Sequence, residues 1–385
     1  MRKLAGLLAV GALTMALLPA AHAGPGPHGV TSDNVEHVTF IPFEAGTATG
    51  ANFFNKGRDR YMVVTGWKTF SIYDITDPAA PAIVGTPIPF GFAFENEDVA
   101  TNGSIMLFSE STPQNILHVW DIEDVTNPVE IATLSGAGDH TTSCILKCKY
   151  AYGSEGHISD LRDPAAPVLT DKTWGEGTPA GNNGHDVTEF APGLVLTSTN
   201  PMMVLDARKD PLKPKLLATS EQMAGFVHSN QWPRLGKDKF ALSTGETWTP
   251  ADAVCDANSA GLSTHDTTNY KKTHSLKLID TYAMKNGVEG GGPTAGNPAM
   301  NGPFGCSSHW FTAHPKWNNG GIVAGGFYNH GTRFLQVDAK GKITEVGYFL
   351  PNAGGTSGAY WITNDIVYAV DYQRGFDVLR YTGKV

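Results

Sequence analysis

Ser71-Ile72-Tyr73-Asp74-Ile75-Thr76-Asp77-Pro78 is a short apolar strand that ends in Asp and runs into a turn built from a second Asp and Pro. The same phrase returns as His118-Val119-Trp120-Asp121 with Asn127-Pro128, as His157-Ile158-Ser159-Asp160-Leu161-Arg162-Asp163-Pro164, and as Met203-Val204-Leu205-Asp206 with Asp210-Pro211. Weaker copies are Leu276-Lys277-Leu278-Ile279-Asp280 and Phe334-Leu335-Gln336-Val337-Asp338. A last one, Phe376-Asp377-Val378-Leu379-Arg380, carries Arg in the Asp position and brings the count to seven. The physics is that of a hairpin. Alternating residues fill a strand, Asp accepts backbone N–H groups at the turn, and Pro pre-sets the turn dihedral while ending the ladder.

Repeats spaced by about 40 to 50 residues, with two longer gaps, match the four-strand blade of a β-propeller. A solenoid is the alternative, but the chain ends favour a closed ring. Only Tyr381 to Val385 follow Arg380, leaving the seventh repeat short of a strand, while Glu36 to Ile41 is a strand with no partners in its own repeat. If Glu36 to Ile41 completes the last blade, two exposed sheet edges vanish. The expectation is an all-β fold, a single seven-bladed β-propeller over residues 36–385. The pattern Val-x-Asp-Ile-x-Asp-Pro-x-x-Pro resembles the LVIVD repeat of secreted and surface proteins. It covers the first four repeats well and the last three loosely. The resemblance implies a propeller and an exported protein, and it implies no reaction.

The N-terminus agrees with export. Met1-Arg2-Lys3 is followed by an apolar run from Leu4 to Ala21, and Ala21-His22-Ala23 has the small-x-small form of a Sec-type cleavage site. Residues 1–23 therefore read as a signal peptide and 24–35 as a flexible mature N-terminus, in a secreted or periplasmic protein. The apolar run is short for a span and is broken by glycines and Pro19. No other segment reads as a membrane span. A net charge of −9 without a basic cluster argues against nucleic acid as a partner. A monomer is expected, with a small-molecule or protein ligand at the top rim.

Aligning the innermost strand of each repeat gives one column: Asn52, Glu97, His140, His185, His228, His309 and Tyr360. The chain holds only 13 His, so four in one structural position is a signal. Innermost strands begin around the central channel of a propeller. Several neutral imidazoles with a carboxylate suit Cu, Zn, Fe or Ni. His140, His185, His228, His309 and Glu97 are therefore the candidate metal ligands, with Asn52 and Tyr360 in support. A water-filled channel of hydrogen-bonded imidazoles is the competing reading. The ends of the second strands add Glu110, Glu155, Glu246, His330 and Asp371 as outer partners, each of which also reads as a solvated turn residue.

Gly- and Pro-rich stretches near 247–276 and 290–305 read as lid-like loops over that mouth. Cys255 and Cys306 fall in these loops, so a bridge between them is expected, and Cys144 and Cys148 flank a tight turn that a local bridge fits. Two functions remain open: a metal-dependent oxidoreductase, or a non-catalytic extracellular binding propeller. No phosphate-cradling Gly loop and no nucleophile elbow occurs. Exported protein is expected to begin at Gly24. Intact-mass measurement checks this, and a mass retaining residues 1–23 contradicts it.

Overall fold

The computed structural model describes residues 29–43, 48–90, 97, 99–111, 114–223, 225–247, 255, 260–284, 306–352 and 354–385. Residues 1–23, expected as a signal peptide, and residues 290–305, expected as a loop, lie outside these residues. Strands dominate, and the two helices among the described residues are single turns. Among the described residues the strands gather into seven antiparallel four-stranded units. The first consists of Gly50–Lys56, Asp59–Thr65, Thr69–Asp74 and Ala82–Pro89. The fourth and fifth units merge into one eight-stranded sheet through a short parallel pairing of Thr219 and Ser220 with Ser275 and Leu276.

Burial between units closes the ring. Met62, Val64 and Tyr73 of the first unit pack with Tyr360, Tyr368 and Phe376 of the last. On its other side the first unit meets the second through Val63, Ile72, Phe108 and Trp120. Five further clusters join the second unit to the third and so on around to the seventh. Alternation along each strand explains the pattern: successive side chains serve opposite neighbours, as Met62 and Val64 face one way and Val63 the other. Each large buried side chain contributes roughly 1.5–3 kcal/mol.

Strand Val35–Pro42 supplies the missing strand of the last unit, pairing antiparallel with Gly375–Tyr381. Buried charges sit at that seam. Arg374 Nη2 donates to Asp377 Oδ2 at 2.6 Å and to Asp371 Oδ2 at 3.1 Å, and His37 Nε2 lies 2.8 Å from Asp377 Oδ1. The Asp turns behave as expected. The amides of Thr76, Glu123, Arg162 and Arg208 donate to Oδ1 of Asp74, Asp121, Asp160 and Asp206 at 2.8–3.1 Å.

Two expectations are corrected. The flexible segment 24–35 holds an ordered strand, Gly29–Thr31, which pairs with Ile343–Pro351 as a fifth strand on the sixth unit. The 247–276 loop is shorter than expected. Leu262–Asp266 is the third strand of the fifth unit, and its Asp266 Oδ1 accepts Thr268 N–H at 2.8 Å. Leu276 to Asp280 therefore lies in the fourth strand, Ser275–Tyr282. The fifth turn reads Asp266-Thr267-Thr268 without Pro, so it lacks half of the signature.

Both disulfides form as expected, Cys144–Cys148 and Cys255–Cys306. The first closes a turn in which Leu146, Lys147 and Cys148 all take left-handed backbone angles, φ 53°, 61° and 58°. The second ties residues 51 apart in sequence. On loop-closure entropy, replacing Cys255 and Cys306 by Ser is expected to cost about 4 kcal/mol, and replacing Cys144 and Cys148 about 2 kcal/mol. Urea denaturation of the two double variants checks the order, and a larger loss from the short bridge contradicts it.

Candidate metal centre

One position in each unit points to the ring axis, and hydrogen bonds from unit to unit identify it. Thr141 Oγ1 donates to His185 O, and His185 Nδ1 to His228 O at 3.0 Å. Ser229 Oγ donates to His309 O at 3.2 Å, His309 Nδ1 to Ser357 O at 2.5 Å, and Ser357 Oγ to Thr49 O. Gly50, next to Thr49, abuts the Glu97 backbone so closely that an added Cβ would lie 1.7 Å from Glu97 O. The ring therefore reads Thr49, Glu97, His140, His185, His228, His309 and Ser357.

The five middle members are those expected from the sequence, and the two at the seam are corrected by three positions. Asn52 lies deeper in its strand, where its Nδ2 donates to Val99 O. Tyr360 likewise lies deeper, packed 5.3 Å from Phe53. Both line the central channel. The register slips because every inner strand offers two alternating faces over several residues, and a hydroxyl does not stand out as an imidazole does.

The side chains converge on one atom. Glu97 Oε2 lies 3.2 Å from Nε2 of His228 and of His309, and 3.9 Å from Nε2 of His140 and of His185. Glu97, His228 and His309 have at most 2 % of their side-chain surface exposed, while His185 shows 11 % and His140 25 %. The rings follow one another edge-on or tilted, with centroids 4.6 Å apart for His140 and His185, 3.8 Å for His185 and His228, and 4.0 Å for His228 and His309. Trp310 Nε1 donates to Glu97 Oε2 at 3.2 Å, and Tyr372 OH to Glu97 Oε1 at 3.1 Å.

Of the outer partners, Glu246 reaches the cluster. Its Oε1 lies 4.0 Å from His309 Nε2 and accepts the Tyr328 hydroxyl. Glu110 is engaged elsewhere, 3.3 Å from His118 Nε2. Glu155 is exposed in a turn, with its amide on Asp139 Oδ2. His330 Nε2 lies 3.8 Å from Cys255 Sγ, beside the long disulfide. Asp371 belongs to the Arg374 network at the seam. Trp310, Tyr328, Tyr372 and Ser357 were not singled out from the sequence. Trp310 directly follows His309, and Tyr372 directly follows a second strand that ends at Asp371, so position alone was the available signal.

Electrostatics separates the imidazoles. Burial pushes His228 down to about 3, and burial with the neighbouring His228 holds His185 well below the usual histidine range. Burial opposes charge on His309 too, but the Glu97 carboxylate beside it prevails and raises its value. Glu97 resists ionisation through burial, and His309 with hydrogen bonds from His228 and His309 outweighs this, leaving it well below the usual carboxylate range.

These facts test a metal directly. His185 is neutral and its Nδ1 donates to a carbonyl, so the Nε2 lone pair faces the Glu97 carboxylate 3.9 Å away. A lone pair aimed at a carboxylate oxygen repels it unless a cation lies between them. His228 Nε2 lies within hydrogen-bond distance of Glu97 Oε2, at 3.2 Å, while its Nδ1 is buried without a hydrogen-bond partner. An ion bound at about 2.0–2.2 Å to nitrogen and oxygen sets ligand separations of roughly 2.9–4.4 Å, and the observed 3.2–3.9 Å falls inside that range. The donor set fits a borderline transition metal.

Beside the cluster, a cavity of about 750 Å³ follows the inner strands from Glu97 and Trp310 to Asn102 and Lys147. Asn52, Asp186, Asn230 and Gln231 make its wall polar.

In structure the chain is similar to the RRP9 WD40 repeats, with a TM-score of 0.54 and 9 % identity over 92 % of this chain and 99 % of that one. It is similar to U3-55K as well, with a TM-score of 0.53 and 9 % identity over 90 % and 98 %. The chain is a β-propeller. At that identity the likeness establishes the fold alone. No protein-family model and no curated protein matches the chain. Among the described residues, no helix of this propeller is long and apolar enough to cross a membrane.

Proposed function

We propose that the chain is an exported, seven-bladed propeller of the LVIVD-repeat type that binds a transition metal where its channel opens, and acts there as a metal-dependent oxidoreductase. The observation that carries the reading is the gathering of four imidazole Nε2 atoms within 3.9 Å of one buried carboxylate oxygen. Burying imidazoles costs stability, and His228 Nδ1 is left without a hydrogen-bond partner, which fits a site kept for binding. The two disulfides support an oxidising compartment.

Redox chemistry is favoured by what surrounds the donors. Zinc would serve a hydrolase, whose site needs a placed base and an oxyanion pocket. Here the neighbours are aromatic: Trp310 and Tyr372 bond to Glu97, and Tyr328 bonds to Glu246. The polar cavity leading to Glu97 suits a small polar substrate better than a protein. Within this reading Glu97 and the imidazoles around it would hold the metal, Tyr372 holds the Glu97 carboxylate, and the bound metal would supply the electron transfer.

Metal content of untagged protein from its native compartment tests the proposal, alongside protein reconstituted with Cu, Zn, Fe or Ni. At least one ion per chain is expected, with copper or iron in the native material and occupancy reduced severalfold in His228→Ala. Occupancy far below one ion per chain, in native and reconstituted protein alike, contradicts metal binding and leaves the non-catalytic propeller. Native protein holding zinc alone contradicts the redox half, since zinc has no redox chemistry.

A further inference from the structure

The four imidazoles do not form one coordination shell. Atoms able to ligate a metal fall into groups of three whose members lie within 4.8 Å of one another. One group is Glu97 with His140 and His185, and another is Glu97 with His228 and His309. The third joins His185, His228 and Glu246. Among the described residues no group holds all four imidazoles. Two ligands on one ion can be no more than about 4.4 Å apart, twice the bond length of about 2.2 Å. One ion therefore cannot take all four nitrogens as they stand.

We infer that the centre holds two metal ions that share Glu97. This rests on the metal-binding reading above and goes beyond it in stoichiometry and in the role of each residue. His140 and His185 hold the outer ion, and His228 and His309 hold the inner one. Glu97 Oε2 is common to both groups and is the atom nearest to all four nitrogens.

The two halves differ in ways that give the ions different tasks. His228 and His309 are fully buried, and Glu246, 4.0 Å from His309 and grouped with His185 and His228, is a second carboxylate that reaches both halves. His140 and His185 are partly exposed, so the outer ion keeps positions open to solvent. Ordered support is present on both sides: His185 Nδ1 is bonded to His228 O and His309 Nδ1 to Ser357 O, while Tyr372 OH donates to Glu97 Oε1 and Trp310 Nε1 to Oε2.

Copper-reconstituted, desalted full chain is the material for the test, with elemental analysis and electron paramagnetic resonance as readouts. Two copper ions per chain are expected in the unaltered protein. Paired Cu(II) ions about 3.5–4 Å apart couple magnetically, so their resonance should be strongly attenuated. His140→Ala and His309→Ala are each expected to keep one ion and to recover a mononuclear signal, and Glu97→Gln to lower both sites. One ion per unaltered chain with a full mononuclear signal overturns the paired centre while leaving metal binding intact. No bound copper overturns both. Because the unaltered protein already distinguishes these outcomes, a variant that fails to fold does not shelter the inference.

Discussion

A single carboxylate oxygen, Glu97 Oε2, stands where four imidazoles meet, and much of the molecule serves to keep it there. The group is buried, and burial alone would protonate it. His309, His228, Trp310 and Tyr372 hold it ionised by charge and by hydrogen bonds. Those four partners come from the fifth, sixth and seventh units, while Glu97 itself precedes the second. The site therefore exists only if the ring is closed in register. A slip of one unit would separate Glu97 from every donor it depends on.

Closure in turn rests on the seam. The last unit borrows Val35–Pro42 from the other end of the chain, and Arg374 bonds to the two buried aspartates beside that joint. Asp371 is followed directly by Tyr372, whose hydroxyl contacts both Glu97 and His309. Backbone fixed by the Arg374 network thus carries a residue of the central cluster. Breaking a buried ionic network costs several kcal/mol, so seam and site are energetically joined through two adjacent residues.

How much of this was legible in the sequence follows from what each residue does locally. The hairpin turn was legible because Asp acts on the amide two residues on, as Asp74 does on Thr76, and that bond leaves a mark in the sequence. The fifth turn escaped because Asp266 is followed by Thr-Thr instead of Pro, so the neighbouring Leu276 to Asp280 looked like the better copy. The imidazole column was legible because His is rare and the four copies keep one position. Thr49 and Ser357 were not, since a hydroxyl near a strand start is common. Trp310, Tyr328 and Tyr372 were beyond reach for a different reason. They enter the site from strand ends of other units, and only tertiary geometry shows which of many aromatic residues turns inward. The division of the imidazoles into two groups depends on distances of a few tenths of an ångström, which no spacing in the sequence encodes.

The central claim is that this convergence of donors holds metal in the channel. Anomalous diffraction from crystals grown after copper or iron loading, collected on both sides of the metal edge, addresses it without reference to any activity. Strong anomalous density is expected within bonding distance of Nε2 of His228 and His309 and of Glu97 Oε2, with a second peak beside His140 and His185. Crystals that show only water between these side chains, with no anomalous signal in the channel at full loading, would contradict it.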